Sequence, residues 1–356
     1  MKKIIFIILL IFPFFAFAQD ASFQAEVIEI LAEQNTVLPD GQEVFQQNVK
    51  LKGLSGDFKD EEVVFEGIGD YDVVKKNLYE VGDKVIVVEN MSHDGSREYY
   101  ITDYVRTSPI YYLLGIFFVI MIAVGRWKGI RAILSLVLSF LVIIKYIIPQ
   151  ILSGADPIVV SIIGSFLILL IVVYLTEGYS KKSHIASISI FVSLILTMVL
   201  SWFFVEIARL SGLGSEEISY LVSLDIFTIN FQGLLLASII IGTLGVLDDV
   251  VISQISTVEE LINSGVKIKK EIFSSAYKVG VSHISSMTNT LFLAYAGASF
   301  PLLILFVSGQ SAFSGLTDVI NNEAIATEIV RTLAGSIGLV LSVPISTWMG
   351  VVFLKK

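Results

Sequence analysis

Long apolar stretches succeed one another through the C-terminal two thirds of this chain. They run at about 110–125, 130–152, 157–176, 184–208, 231–247, 284–308 and 329–354. About 20 apolar residues in a helix cross a hydrocarbon core of about 30 Å. In lipid, only a helix or a closed barrel can satisfy its own backbone polar groups. The chain is therefore expected to be mainly α, a polytopic transmembrane bundle of about seven spans. Composition agrees: only 16% of residues are charged, and mean hydropathy is +0.80. Soluble domains carry about 25% charged residues.

Before these stretches the pattern differs. Residues 1–18 read as a secretory signal: Lys2 and Lys3, an apolar core from Ile4 to Phe15, then Ala16-Phe17-Ala18 as a cleavage site. An uncleaved anchor is the competing reading, but the apolar run is short for a span. Residues 19–108 hold 19 Asp and Glu against 8 Lys and Arg, which argues against nucleic acid as a partner. Alternating runs at Glu26–Ile30, Asn48–Leu51, Val63–Phe65, Lys84–Val88 and Tyr99–Ile101 are separated by turn residues. About five strands in that length suit a small acidic β domain, with an oligonucleotide/oligosaccharide-binding (OB) type of barrel as the expected fold. Residues 109–356 form the helical domain.

The signal would place the β domain outside, so the first span runs inward. The basic residues then fall on the inner side: Arg126, Lys128 and Arg131; Lys181 and Lys182; Lys267, Lys269, Lys270 and Lys278; Lys355 and Lys356. That bias predicts seven spans and an inner C-terminus. Residues 211–230 are expected as an outer loop or partly re-entrant segment. Residues 250–280 are expected as an inner amphipathic helix or hairpin. The chain has no cysteine, which excludes disulfides, thiolate metal sites and cysteine nucleophiles.

Three stripes mark the last three spans. Ser238, Gly242, Gly245, Asp249, Ser253 and Ser256 are spaced by four, three, four, four and three, which keeps them on one helical face. His283, Ser286, Thr290, Ala294 and Gly297 form a second stripe, and Glu328, Arg331, Gly335, Gly338, Ser342 and Ser346 a third. Small residues at this spacing let helices approach closely in a bilayer, so Ser238, Gly242, Gly245, Gly297, Gly335 and Gly338 are candidate packing positions. The stripes have a plain reading as packing faces alone. The ionisable residues need more, because a charge in hydrocarbon costs about 2.5–3.5 kcal/mol even on the lenient scale. Asp249, His283, Asn289, Thr290, Glu328 and Arg331 are the candidates for a polar path. Interfacial solvation is the bland alternative for Asp249 and His283, and a mutual i,i+3 ion pair is the favoured one for Glu328 and Arg331. Asp248 points about 100° away from Asp249 and is not a candidate.

The motifs that carry these residues resemble a known family. Gly242-Thr243-Leu244-Gly245-Val246-Leu247-Asp248-Asp249-Val250, then His283-Ile284-Ser285-Ser286 with Asn289-Thr290-Leu291 and Ala294-Tyr295-Ala296-Gly297, then Glu328-Ile329-Val330-Arg331-Thr332-Leu333-Ala334-Gly335, resemble in order the three motifs of the YibE/F-like bacterial membrane proteins. The resemblance carries the motif aspartate to Asp249, the histidine to His283, the asparagine to Asn289 and the Glu/Arg pair to Glu328 and Arg331. The family pattern has an acidic residue just before the histidine. Ser282 stands there in this chain, which weakens a fixed acid–histidine dyad. The resemblance implies a multi-pass protein of the bacterial cytoplasmic membrane and no particular activity.

Three functions compete. A permease would move an ion or small solute down a gradient along the polar path. A sensor or assembly scaffold would meet an envelope protein through the β domain. An intramembrane hydrolase is the weakest reading: Gly-x-x-x-Asp is not the aspartyl-protease Gly-x-Gly-Asp, and Gly335-Ser336 lacks a rhomboid spacing. Three histidines make a His-rich metal site a poor expectation. No Walker loop is present, so no nucleotide cofactor is expected. Expected partners are the lipid bilayer, the solute, an envelope protein and, as an open alternative, a second copy of the chain.

Overall fold

The computed structural model describes residues 22–37, 43–68, 78–91, 96–223, 229–308 and 315–355. The expected signal lies outside them. Five strands come first: β1 Ser22–Val37, β2 Glu43–Gly53, β3 Glu62–Glu66, β4 Lys84–Met91 and β5 Arg97–Tyr104. Each of the five alternating runs falls within one of these strands. Nine helices follow among the described residues. They are α1 Thr107–Leu152, α2 Pro157–Glu177, α3 Lys181–Ile207, α4 Glu216–Ser223, α5 Phe231–Asn263, α6 Lys269–Ala298, α7 Phe300–Val307, α8 Leu316–Asn321 and α9 Glu323–Phe353. The chain divides into two compact units, one ending at Ile120 and one running from Met121. The division falls inside α1.

In the first unit the strands form one antiparallel sheet in the order β3-β2-β1-β4-β5. The outer strands β3 and β5 come back into contact. Period-two alternation sends Phe23, Ala25, Val27, Val49, Leu51, Val63, Phe65, Val85, Val87 and Ile101 into a common core. Register shifts at Val27/Glu29 and Ile30/Ala32 mark bulges in β1, which raise its local twist. Beyond Glu26, β1 pairs with β2 but no longer with β4.

In the second unit, side-chain caps start the helices. Asp156 Oδ1 accepts from the amides of Ile158 and Val159 at 2.9 and 3.1 Å ahead of α2, whose first residue is Pro157. Ser180, Asn230 and Asn322 cap α3, α5 and α9 in the same way. α3, α5 and α9 pack together at the centre, with α2 against α5 and α6 against α9. The interior of α3 carries Ser189, Ser193, Thr197 and Ser201, each donating to the carbonyl four residues before it. That local bond satisfies a hydroxyl where no water reaches it. The small side chains then admit α9. A β-carbon at Gly338 would lie 2.9 Å from Thr197 Cβ, so only glycine permits this approach.

Among the described residues, five helices are long and apolar enough to cross a membrane: α1, α2, α3, α5 and α9. Two of the seven expected spans share α1, whose 46 residues would extend about 69 Å at 1.5 Å per residue. α1 is broken at Arg126, where φ is 48° and ψ is −128°. A β-carbon on Gly129 would lie 2.9 Å from the Met121 carbonyl carbon, an approach impossible within one straight helix. The expected span 284–308 falls on α6 and α7, and neither meets the criterion of length and apolarity. The expected segment 250–280 is a helical hairpin: α5 continues to Asn263, and α6 begins at Lys269.

Candidate functional site

The site begins on the first turns of α9. Asn322 caps the helix, and Thr327, Glu328 and Arg331 follow at spacings that share one face. Arg331 Nη1 donates to Glu328 Oε1 at 2.8 Å. Nη2 donates to the Ser238 hydroxyl oxygen on α5 at 3.3 Å. Ser238 has already given its own proton to the Leu235 carbonyl at 2.7 Å, which leaves its lone pairs for the guanidinium. Arg331 Nε and Thr327 Oγ1 are buried without a hydrogen-bond partner among the described residues.

These groups line a cavity of about 750 Å³. Its polar wall is Ser238, Thr327, Glu328 and Arg331, and its apolar wall includes Leu234, Leu235, Pro301 and Leu302. The loop before α4 closes one side with Gly212, Gly214 and Ser215, followed by Glu217 and Ile218 on α4 itself. Glu323 holds that loop: its Oε1 accepts from the Ser211 amide, the Ser211 hydroxyl and the Gly212 amide at 2.7, 2.7 and 2.9 Å. Gly212 has φ +81° and sits against the Phe231 carbonyl, so the turn requires glycine on both counts.

The stripes lie at different depths. That of α9 is inside the bundle: Gly335, Gly338, Ser342 and Ser346 are buried. On α5 the seam is taken by Leu236, Ile240, Leu247, Val251 and Ile255, while Ser238, Gly242, Gly245, Asp249 and Ser253 are exposed. A β-carbon on Gly242 would meet the Tyr295 hydroxyl at 3.2 Å, whereas Gly245 and Gly297 face open space. On α6 the packed face is Ile272, Ala276, Gly280, Ile284 and Leu291. His283 is half-buried, and Asn289 and Thr290 are exposed. Large aliphatic side chains bury more apolar area than serine or glycine, so they claim the seams on α5 and α6.

The sequence-derived candidates are thus not all brought together. Glu328, Arg331 and Ser238 are joined directly. Among the described residues, Asp249 and His283 form no ion pair with each other. Asp248 is more enclosed than Asp249 and accepts the Asp249 amide on Oδ1 at 2.9 Å. Sequence reasoning also passed over Thr327, Glu323 and Gln254. Buried Gln254 on α5 donates to the Ala276 carbonyl of α6 at 2.8 Å and to Thr347 Oγ1 of α9 at 2.7 Å. Gln254 stands in the sequence among Ser253, Ser256 and Thr257, so its polarity alone did not single it out.

The model of the YibE/F-like protein family matches residues 113–356, which include α5, α6 and α9 and all of the cavity lining. The chain belongs to the YibE/F-like family. No curated protein and no solved structure matches it. In this YibE/F-like chain, α5, α6 and α9 each contribute residues to the cavity lining. The Glu/Arg pair of the third motif supplies its only ion pair among the described residues.

Proposed function

We propose that this YibE/F-like protein is a gradient-driven permease for a small solute or ion, with the α5–α9 cavity as its binding site. The carrying observation is the cavity itself, where Arg331, Glu328, Ser238 and Thr327 line about 750 Å³ of space between apolar helices, and Arg331 Nε and Thr327 Oγ1 are buried without a partner among the described residues. Such groups in a membrane bundle mark a site by default. Spare hydrogen-bonding capacity in a partly sheltered cavity is what a transported solute replaces its water with.

Seven spans fit this reading. The break at Arg126 divides α1 into two crossings, and α6 with α7 supplies another. The inner face then carries Arg126, Lys128, Arg131, Lys181 and Lys182, with the C-terminus on the same side and the β unit outside. The strand order β3-β2-β1-β4-β5, with β3 returning to β5, supports an OB-like barrel. Asp249 and His283 lie along the continuation of the α5 and α6 stripes and are proposed as carriers at the inner end.

A second reading, a sensor or assembly protein, draws on β1. Past Val27 its outer edge pairs with no strand among the described residues, and a free edge accepts an added strand. Gradient-driven flux in proteoliposomes separates the two. Asp249→Asn is expected to abolish flux in folded protein. Equal flux in wild type and variant removes Asp249 from the path, and silence across a panel of ions and solutes favours the assembly reading.

A further inference from the structure

The cavity's open hydrogen-bonding capacity specifies the kind of molecule that fits. Arg331 spends Nη1 on Glu328 and only a long 3.3 Å contact of Nη2 on Ser238. Its Nε–H, beside Nη2 on the same edge of the guanidinium, has no partner among the described residues. One turn earlier Thr327 Oγ1 is likewise unpartnered. Arg331 and Thr327 both line the cavity, and a guanidinium binds a carboxylate in fork geometry. Among the described residues Glu328 accepts a hydrogen bond from Arg331 alone, on Oε1, so its second oxygen can accept from an ammonium. Glu217, the other charged group of the lining, is exposed to solvent, and the partly buried Arg331 and Glu328 cancel each other. A ligand of either net sign would leave uncompensated charge among apolar helices, at high cost, whereas a ligand carrying both charges does not. Leu234, Leu235 and Leu302 add an apolar wall beside the polar one.

We infer that the cavity binds a compact zwitterion with an apolar side chain, of the α-amino-acid class: its carboxylate on the Arg331 guanidinium beside Thr327, its ammonium on Glu328. The inference rests on the reading of the cavity as a solute site and gives that site its ligand chemistry.

Titration calorimetry on the full chain in nanodiscs tests it, with L-leucine and L-alanine as zwitterions, N-acetyl-L-leucine as the anion alone and L-leucinamide as the cation alone. The expected result is saturable binding of L-leucine, weaker binding of L-alanine, and at least about tenfold weaker binding of each capped form. Thr327→Val, which keeps shape and charge, is expected to weaken L-leucine several-fold. Arg331→Gln/Glu328→Gln, which removes both charges and leaves neither orphaned, is expected to abolish binding while the melting temperature confirms folded protein. Equal binding of a capped form overturns the zwitterion assignment, as does the absence of saturable L-leucine and L-alanine binding up to about 10 mM. Amino-acid binding without flux contradicts the permease reading alone. Flux of inorganic ions without amino-acid binding contradicts this inference alone.

Discussion

Arg331 on α9 reaches the hydroxyl oxygen of Ser238 on α5 at 3.3 Å, across 93 residues of sequence. That contact joins the third family motif to the helix that carries the first, at the wall of the cavity. The guanidinium is held at its other end by Glu328, and both side chains are about three quarters buried, at 25% and 27% exposure. A charge pair so placed is costly to break from one side only.

Glu328→Gln is therefore expected to destabilise the protein by about 1–3 kcal/mol. This is less than the full cost of orphaning a buried charge, because water still reaches part of the pair. Arg331→Gln should cost a similar amount, and the double variant less than the sum of the two. Unfolding of the four proteins in mixed detergent measures the cycle, and simple additivity would show that the two groups are not coupled.

Glu323→Ala removes the acceptor that gathers the Ser211 amide, the Ser211 hydroxyl and the Gly212 amide. A cost of about 1–3 kcal/mol is expected for the local structure. Hydrogen exchange at residues 211–215 should accelerate while α3 and α9 stay protected. Unchanged exchange in the loop would mean that Glu323 is not what holds it.

Two glycines of the stripes should respond oppositely to alanine. Gly338→Ala forces a methyl into Thr197 and is expected to cost about 1–3 kcal/mol, as overpacking does. Gly245→Ala meets nothing within contact distance and should be neutral, or stabilising by up to about 1 kcal/mol through helix propensity. Thermal unfolding of the two variants side by side makes the comparison.

That contrast also shows how far the sequence was legible. Spacing by threes and fours identifies which residues share a face, and on α9 that face is buried. Spacing cannot say which face a neighbour covers. On α5 and α6 the aliphatic faces pack, leaving Gly245, Asp249, Asn289 and Gly297 on open surface. The five strands were readable because alternation over a single core admits one register. The break in α1 was not, since Arg126 takes a non-helical conformation with no proline to announce it. Nor was the wall made by residues 212–218, which depends on one carboxylate more than a hundred positions away. Thr327, a threonine beside charged neighbours, carried no periodic signal that marked it as unpartnered.

In the β unit, Tyr79 is buried with its hydroxyl unpartnered among the described residues. Burial, followed by the nearby Tyr104, Asp103 and Asp83, pushes its phenol up to about 12. The folded state thus favours the neutral phenol, relative to an unfolded value of about 10. Its contribution to stability is complete below pH 10 and is lost as pH rises from 10 towards 12. Tyr79→Phe is expected to be no less stable at pH 7 and to lose less stability over that window. Denaturant midpoints of the β unit in the full chain, taken at pH 8 to 11.5, check this, and parallel curves for the two proteins would contradict it.

The central claim is that the α5–α9 cavity is a transport site, and uptake of radiolabelled L-leucine into proteoliposomes under an imposed proton or sodium gradient tests it most directly. Wild type should accumulate label only with the gradient, and Arg331→Gln/Glu328→Gln, folded and equally reconstituted, should fall to the level of empty liposomes. Gradient-driven uptake that survives the double variant unchanged would contradict the assignment of the path to this cavity.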